Sequence, residues 1–355
     1  MASHPLSPPA VTSLFTPLPL GEDLTLPNRI VMAPMTRCMA GPGLVPTEAM
    51  AAYYGRRADA GLIISEGAIV RPDAQGYPNT PGVFTAEQVA GWRAVTSAVK
   101  DAGGRIFCQL WHVGRVSHPT YLGGALPIAP SAVPLAGPIA HTDLEYGTPR
   151  ALDADEIPPL IEAFATAAAN AMDAGFDGVE VHGANGYLID QFLHYRTNHR
   201  DDAYGGDPPR MARFALEVVD ALCEAAGADR VGIRLSPAAY HHLRPDPRDT
   251  EVFQYLLPAL DERALAYVHA GIADDTWEFD YLGGRVADFL RRHYRGTLIA
   301  CGAFTPEGAA AALAAARCDL TAMGRPFIAN PDLVTRVRAG EPLIPFDEAM
   351  LDRLE

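Results

Sequence analysis

Short apolar runs recur along the chain, and most are separated by stretches with helical spacing. They read RIVMAPMT (29–36), GLIISEGA (61–68), RIFCQLWH (105–112), GVEVHGA (178–184), VGIRLSP (231–237), AYVHAGI (266–272), TLIACGA (297–303) and DLTAMGR (319–325). A strand with one wet face alternates apolar and polar residues, whereas a largely continuous apolar run suits a parallel strand covered on both faces. The segments between carry helix signals. TAEQVAGWRAVTSAVKDAGG (85–104) opens on a capping threonine and closes on a glycine pair. DADEIPPLIEAFATAAANAMDAG (153–175) has an acidic first turn and a glycine stop, and PEGAAAALAAARC (306–318) is a third helix pattern. Eight strand–helix units predict an α/β fold, a (β/α)8 TIM barrel forming one domain over residues 1–355.

One connection is too long for a simple loop. Residues 113–152 are rich in Gly and Pro, yet Leu, Ile, Val and Tyr run through them. That composition argues against a disordered linker and predicts an excursion capping the C-terminal face of the barrel.

Polar residues at the C-terminal ends of barrel strands point toward the active site. The candidates on that rule are Thr36, then Gln109, Trp111 and His112, then His182 with Asn185 and Tyr187 on the following loop, then Arg234, and finally Gly302, Gly324 and Arg325. Glycine-exposed N–H groups after the last two strands, with Arg325 beside them, suit a phosphate; tight turns and a surface ion pair are the plainer alternative. Arg234 sits in a run that should be buried, so it needs a negative partner, either an anionic cofactor or a core carboxylate. Gln109 can donate and accept, which suits the edge of a heterocycle or a backbone cap.

Composition narrows the partners. With 28 basic and 43 acidic residues the net charge is −15, which disfavours nucleic acid and anionic membranes. The basic stretch RRHYR (291–295) reads as a solvated helix end. No apolar run approaches the roughly 20 residues of a membrane span. Five scattered cysteines form no CxxC pair, and His112 and His118 lack a third ligand, so no metal is expected and a reduced cytoplasmic setting fits. The leader MASHPLSPPAVTSLFTPLPLG has no basic n-region and does not read as a signal peptide. GxGxxG, GxxxxGK[ST] and GxSxG are all missing, so Rossmann, P-loop and serine-hydrolase sites are not offered.

NRIVMAPMTR (28–37), PGVFTAEQVAGWR (81–93), IFCQLWHVGR (106–115), HGANGYLIDQFL (182–193) and AMGRPFIANPDL (322–333) together resemble the old yellow enzyme family of FMN-dependent ene-reductases, in family order and over nearly the whole chain. RDDAYGG (200–206), followed by Arg210 and Arg213, resembles the segment that braces the fourth loop. The resemblance implies FMN as cofactor and NADPH or NADH as reductant, in a ping-pong cycle through one pocket. It places Thr36 at the flavin O4, Gln109 and Arg234 at the pyrimidine edge, Ala33, Pro34, Met35 and Ala68 along the isoalloxazine, and Gly302, Ala303, Gly324 and Arg325 at the phosphate. It also implies that His182 and Asn185 polarise the carbonyl or nitro group of a small electron-poor alkene. Hydride then goes from flavin N5 to Cβ and a proton from Tyr187 to Cα, with Tyr77 and Trp111 lining the pocket and Trp277 a weaker candidate. A monomer or homodimer is implied.

Within the family a redox-neutral flavin-dependent isomerase or a specialised-pathway reductase is the alternative, and the presence of Tyr187 favours a net reductase over the isomerase. A flavin-free barrel lyase or aldolase would need a Schiff-base lysine or a metal at a strand end. A pure binding module would have no use for a proton donor. Three features depart from the family pattern: the ending FDEAMLDRLE where relatives continue, which is expected to change the pocket mouth; alanine in CGAF; and YHHLRPDPRDT (240–250) after the fifth strand, which bears on substrate choice.

Overall fold

The computed structural model describes residues 11–139 and 142–355; residues 1–10 of the leader and 140–141 of the excursion lie outside the described residues. All eight apolar runs form strands: β1 (Ile30–Met32), β2 (Leu62–Ile64), β3 (Ile106–Trp111), β4 (Gly178–Gly183), β5 (Val231–Leu235), β6 (Tyr267–Ala270), β7 (Leu298–Cys301) and β8 (Leu320–Met323). Each pairs in parallel with the next, and β8 returns to β1 with Thr321 opposite Ile30 and Met323 opposite Met32. The sheet therefore closes into the (β/α)8 TIM barrel that the alternating pattern predicts.

Strand residues are buried on both sides, and successive positions enter two different cores. Ile30, Met32, Ile63, Ile106 and Cys108 belong to the layer between strands and helices. Val31, Leu62, Ile64, Phe107, Ile299 and Leu320 belong to a second cluster inside the barrel. Full burial of one such aliphatic or aromatic side chain is worth about 1.5–3 kcal/mol, so this two-faced burial strongly fixes strand register. A hairpin of Leu18–Leu20 with Leu24–Leu26 contributes Leu20 and Leu26 to the inner cluster. Glu22 N–H reaches Asp229, just ahead of β5, so the hairpin closes the N-terminal end and leaves the other end for the site.

The predicted helices form with shifted bounds. Ala86–Asp101 starts at a capping box between Thr85 and Gln88, as the threonine signal requires. In 153–175 the acidic first turn is a 3-10 turn, Ala154–Glu156, also closed by a capping box, and the α-helix proper is Ile157–Asp173. The third helix is Pro306–Ala314, shorter than its alanine-rich pattern. RRHYR does fall at a helix end: Arg291, Arg292 and His293 form the last turn of Val286–His293.

In the excursion Ile128–Ala129 pairs in parallel with Arg150–Ala151. Arg200 ties this segment down, with Nη1 donating to the carbonyls of Pro130 at 3.0 Å and Leu152 at 2.5 Å.

Candidate active site

Side chains alternate along a strand, so the residues sharing a parity with Phe107 and Tyr267 of the inner core also face inward. Toward the C-terminal end those positions turn polar: Gln109 on β3, Glu180 and His182 on β4, Arg234 on β5, His269 on β6 and Cys301 on β7. They meet one another. Gln109 Nε2 donates to Glu180 at 2.7 Å, His269 Nδ1 lies 2.8 Å from the other Glu180 oxygen, and Arg234 Nη2 lies 3.5 Å from Cys301 Sγ. Burial alone would deprotonate His269, but Glu180 overrides it and raises the imidazole pKa. Burial also opposes the Cys301 thiolate, yet Arg234 and His269 bring the thiol pKa below its ordinary value.

Above this network the rings of four residues close a cage. Trp111 stacks on His182 at 5.8 Å and on Tyr77 at 5.5 Å, while the Tyr187 ring stands edge-on to Trp111 at 4.8 Å and to His182 at 4.9 Å. Tyr187 and Tyr77 hydroxyls are 2.9 Å apart, and Tyr77 is 3.3 Å from His242 Nε2. His182 is neutral: burial first, then the charges of Arg234, His269 and His241, hold its pKa well below the ordinary value, and Nδ1 is buried without a partner. Burial raises the Tyr187 pKa, so the phenol stays protonated across the physiological range.

The loop after β4 is held by residues on two neighbouring strands' loops. Asn185 takes a left-handed φ of 61°, its N–H donates to Ser236 Oγ at 3.0 Å, and that hydroxyl is 3.3 Å from Asn185 Oδ1 and 2.8 Å from the Gly271 carbonyl. Gly186 has a φ of +79°, and a Cβ there would come within 2.7 Å of His242 Cβ, so the turn needs glycine. Its N–H donates to Asp190, whose other oxygen lies 3.0 Å from His194 Nε2, while His194 Nδ1 is 2.7 Å from Asp249. With both ring nitrogens facing carboxylates, His194 is an imidazolium. Burial pulls its pKa down, but the two aspartates outweigh this and push it up to about 10.

A cavity of about 280 Å³ opens beside the network. Ala33, Pro34, Met35 and Arg234 line one part of it, and Gly302, Ala303, Gly324 and Arg325 another, so eight of the expected cofactor residues converge. Gly302 has a φ of +126° and lies so close to Asp275 N that a Cβ would sit 2.7 Å from it; Ala303 follows with a φ of 45°. Arg325 is exposed and, among the described residues, stacks over Phe346 with no carboxylate in ion-pairing reach. Arg234 is buried and, among the described residues, its Nε is unpartnered and it makes no carboxylate salt bridge. The core ion pair considered for it is not made.

Other expected residues lie elsewhere. Thr36 is exposed and lines an adjoining cavity of about 260 Å³ with Cys38, Leu351 and Asp352. Beneath it Arg37 donates to the carbonyls of Met350 at 2.9 Å and Arg353 at 2.8 Å. Ala68 is buried opposite Leu110 of β3, and Gln109 is engaged with Glu180 rather than capping backbone. His112 is buried 3.7 Å from Asp73, and His118 caps the turn at Thr120. Trp277 is 47% exposed.

A model of the NADH:flavin oxidoreductase / NADH oxidase family matches residues 13–343. A flavin oxidoreductase of Emericella nidulans is 41% identical over 361 residues, covering 95% of this chain and 93% of that protein. The 12-oxophytodienoate reductase 7 of Oryza sativa subsp. japonica is 42% identical over 346 residues, covering 92% and 87%. The chain belongs to this family, the old yellow enzymes. Among solved structures, morphinone reductase in complex with tetrahydroNAD superposes with a TM-score of 0.88 at 46% identity, covering 96% of this chain and 94% of that one. The old yellow enzyme homologue from Zymomonas mobilis gives 0.89 at 38% identity, covering 96% of each.

This old yellow enzyme is therefore a flavin-dependent NAD(P)H oxidoreductase, with FMN as cofactor. Its own residues fit that group: an orphaned buried guanidinium, strained backbone at Gly302–Ala303 and an unpaired Arg325 converge on one cavity. Glu180, His269, Cys301, Ser236 and the Asp190–His194–Asp249 cluster were not anticipated from sequence. For Glu180 the signal was available, since it shares the inward parity of His182 two positions later in VEVH.

Proposed function

We propose that this enzyme uses NAD(P)H to reduce the C=C bond of small alkenes conjugated to a carbonyl or nitro group, in a ping-pong cycle through one pocket. The observation that carries the reading is the neutral His182, with a buried unpartnered nitrogen, set in one cage with a Tyr187 phenol that stays protonated. When bound and reduced, FMN supplies hydride to the alkene Cβ. His182 and Asn185 donate hydrogen bonds to the carbonyl or nitro oxygen and stabilise negative charge developing there. Ser236 fixes Asn185 for that task. Tyr187 gives its hydroxyl proton to Cα as general acid, with Tyr77 bonded to the same oxygen to stabilise the phenolate left behind. Trp111 and Tyr77 form the walls that exclude water.

On the cofactor side, Arg234 would compensate charge on the pyrimidine edge beside Gln109, and Thr36 would donate a hydrogen bond to the flavin O4. Ala33, Pro34, Met35 and Ala68 would support the ring, and Gly302, Ala303, Gly324 and Arg325 would hold the phosphate. The chain works as one FMN-binding barrel with 113–152 as its cap; the Arg200 contacts to Pro130 and Leu152 support this.

Anaerobic visible spectroscopy tests the reading. Adding NADPH should bleach the flavin band and 2-cyclohexenone should restore it. In Tyr187→Phe, restoration should slow by about 10²–10⁴-fold while bleaching stays nearly normal. A band that never recovers with enones or nitroalkenes would overturn the activity. Equal slowing of both steps would remove Tyr187 from the proton-donor role.

A further inference from the structure

Tyr187, Trp111 and Tyr77 are all buried, so the phenol that faces the alkene is sealed from solvent. Burial also keeps that phenol protonated, which makes a lone phenolate in its place costly. A proton that leaves Tyr187 must therefore be replaced as it goes. The neighbour able to replace it is Tyr77, whose hydroxyl is 2.9 Å away. Tyr77 is only 8% exposed and cannot draw freely on solvent, but its hydroxyl lies 3.3 Å from His242 Nε2.

His242 reaches the outside. It is half-buried and lines a cavity of about 440 Å³ with Arg115, Arg196, Arg244 and His241. Neither Tyr77 nor Tyr187 belongs to that lining, so the imidazole is the step between the two phenols and the cavity. Its place is fixed from two sides: Gly186, directly before Tyr187, packs against its Cβ, and Arg115 Nη2 donates to its carbonyl at 2.9 Å. The other groups facing the ring are His241 at 4.1 Å, Tyr187 at 5.7 Å and Tyr146 at 5.8 Å between ring centres. Burial, then His241 and Arg115, drive the His242 pKa down to about 3, so the ring is neutral and has one N–H and one lone pair. Such a ring can release a proton on one side while taking one up on the other, which an imidazolium cannot do.

We propose that His242 and Tyr77 form a proton relay that resupplies Tyr187 from solvent in the arginine-lined cavity; this rests on the reading of Tyr187 as proton donor. As the Tyr187 proton passes to Cα, the Tyr77 proton moves to the Tyr187 oxygen and the His242 Nε2 proton moves to the Tyr77 oxygen. A solvent proton adds at His242 Nδ1. The sum is one proton from solvent to Cα, with both phenols and the imidazole left neutral and no electrons moved beyond the hydride. Rotation of the two hydroxyls and solvent exchange at the ring restore the starting state. His242 is thus a positioning residue, acting through Tyr77. The YHHLR stretch, which departs from the family pattern, then supplies a proton port rather than choosing the alkene.

The FMN-loaded enzyme, reduced with dithionite so that no nicotinamide takes part, is mixed rapidly with 2-cyclohexenone in H₂O and in D₂O, and flavin reoxidation is followed. His242→Ala opens the relay, and His242→Gln fills the same place with a side chain that can hydrogen-bond to Tyr77 but cannot pass a proton through itself. Both should slow reoxidation roughly tenfold, the effect of losing one hydrogen-bonded link. Both should also show a larger solvent deuterium isotope effect than wild type, because proton delivery then limits the step. Unchanged reoxidation in both variants would overturn the relay. So would slowing with the wild-type isotope effect, or a normal rate in His242→Gln, since either leaves His242 a merely structural part. Tyr146, which also bears on the Tyr77 hydroxyl, is the rival exit. Tyr146→Phe should reoxidise normally, and slowing there in place of the His242 variants would overturn the assignment. Tyr187→Phe, run alongside, separates the two readings: if it is slow while the His242 variants are normal, the relay alone fails, and if it reoxidises at the wild-type rate, the proton-donor reading fails as well.

Discussion

His182 and His194 lie on one short stretch of chain, both buried, and they hold opposite charge states. His182 faces Arg234, His269 and His241 and is kept neutral; His194 lies between Asp190 and Asp249 and is kept protonated. Burial pushes both toward neutrality, so the charge on the neighbours decides. The neutral ring sits at the cage wall, where a charge would be misplaced before substrate arrives. The charged ring sits under the same loop and locks it, through Asp190, to the Gly186 N–H. One imidazole is kept ready for chemistry, and the other fixes where that chemistry takes place.

The comparison is broken most strongly at His194. His194→Ala leaves two buried carboxylates facing one another and should cost about 3–5 kcal/mol in denaturant unfolding. A loss under about 1 kcal/mol would mean that the carboxylates do not need the imidazolium, because that is only the range of an exposed pair. At His182 the larger effect should fall on ligand binding and turnover rather than on the fold. His182→Ala should lower alkene reduction by about 10²–10³-fold, the usual effect of losing one oxyanion donor, and abolish the charge-transfer band of a bound phenol. A persistent band would remove His182 from the oxygen-binding role.

The smallest effect is in pH, and it sharpens the contrast because the two signs oppose. The folded pKa of His194, about 10, lies above its unfolded value of 6.5, so its stabilisation is complete below about pH 6.5 and is lost as pH rises toward 10. The folded pKa of His182 is depressed, so unfolding takes up its proton and stability falls as pH drops below 6.5. Urea midpoints should therefore decline on both sides of neutrality, and His194→Gln should flatten only the alkaline limb. An unchanged alkaline limb would show that the ring is neutral.

The barrel was legible because its strands are buried on both faces and therefore apolar throughout. The candidate residues were legible because strand ends in such a barrel share one rim. The buried network was hidden for the same reason. Glu180 and His269 sit inside apolar runs, and only the closed ring, which brings β4 beside β3 and β5 and β6 next to β5, turns isolated polar letters into contacts. Asp190 and His194 are one helical turn apart and could be paired from sequence, but Asp249 comes from the segment after β5. Thr36 shows the opposite limit: its place after β1 was readable, but the path of its exposed loop was not.

The chain's three tryptophans occupy three different settings. Trp92 is sealed in the core and bonded to the Gly82 carbonyl at 2.9 Å, Trp277 stands in solvent, and Trp111 forms a wall of the cage between Tyr77 and His182. A soluble quencher reaches Trp277 and neither of the other two, because Trp92 and Trp111 are both fully buried. The molecule thus carries its own optical gauge of folding: with Trp277 replaced by phenylalanine, its ultraviolet emission should resist a soluble quencher while the barrel is intact and become quenchable as it unfolds, with no dye or label attached.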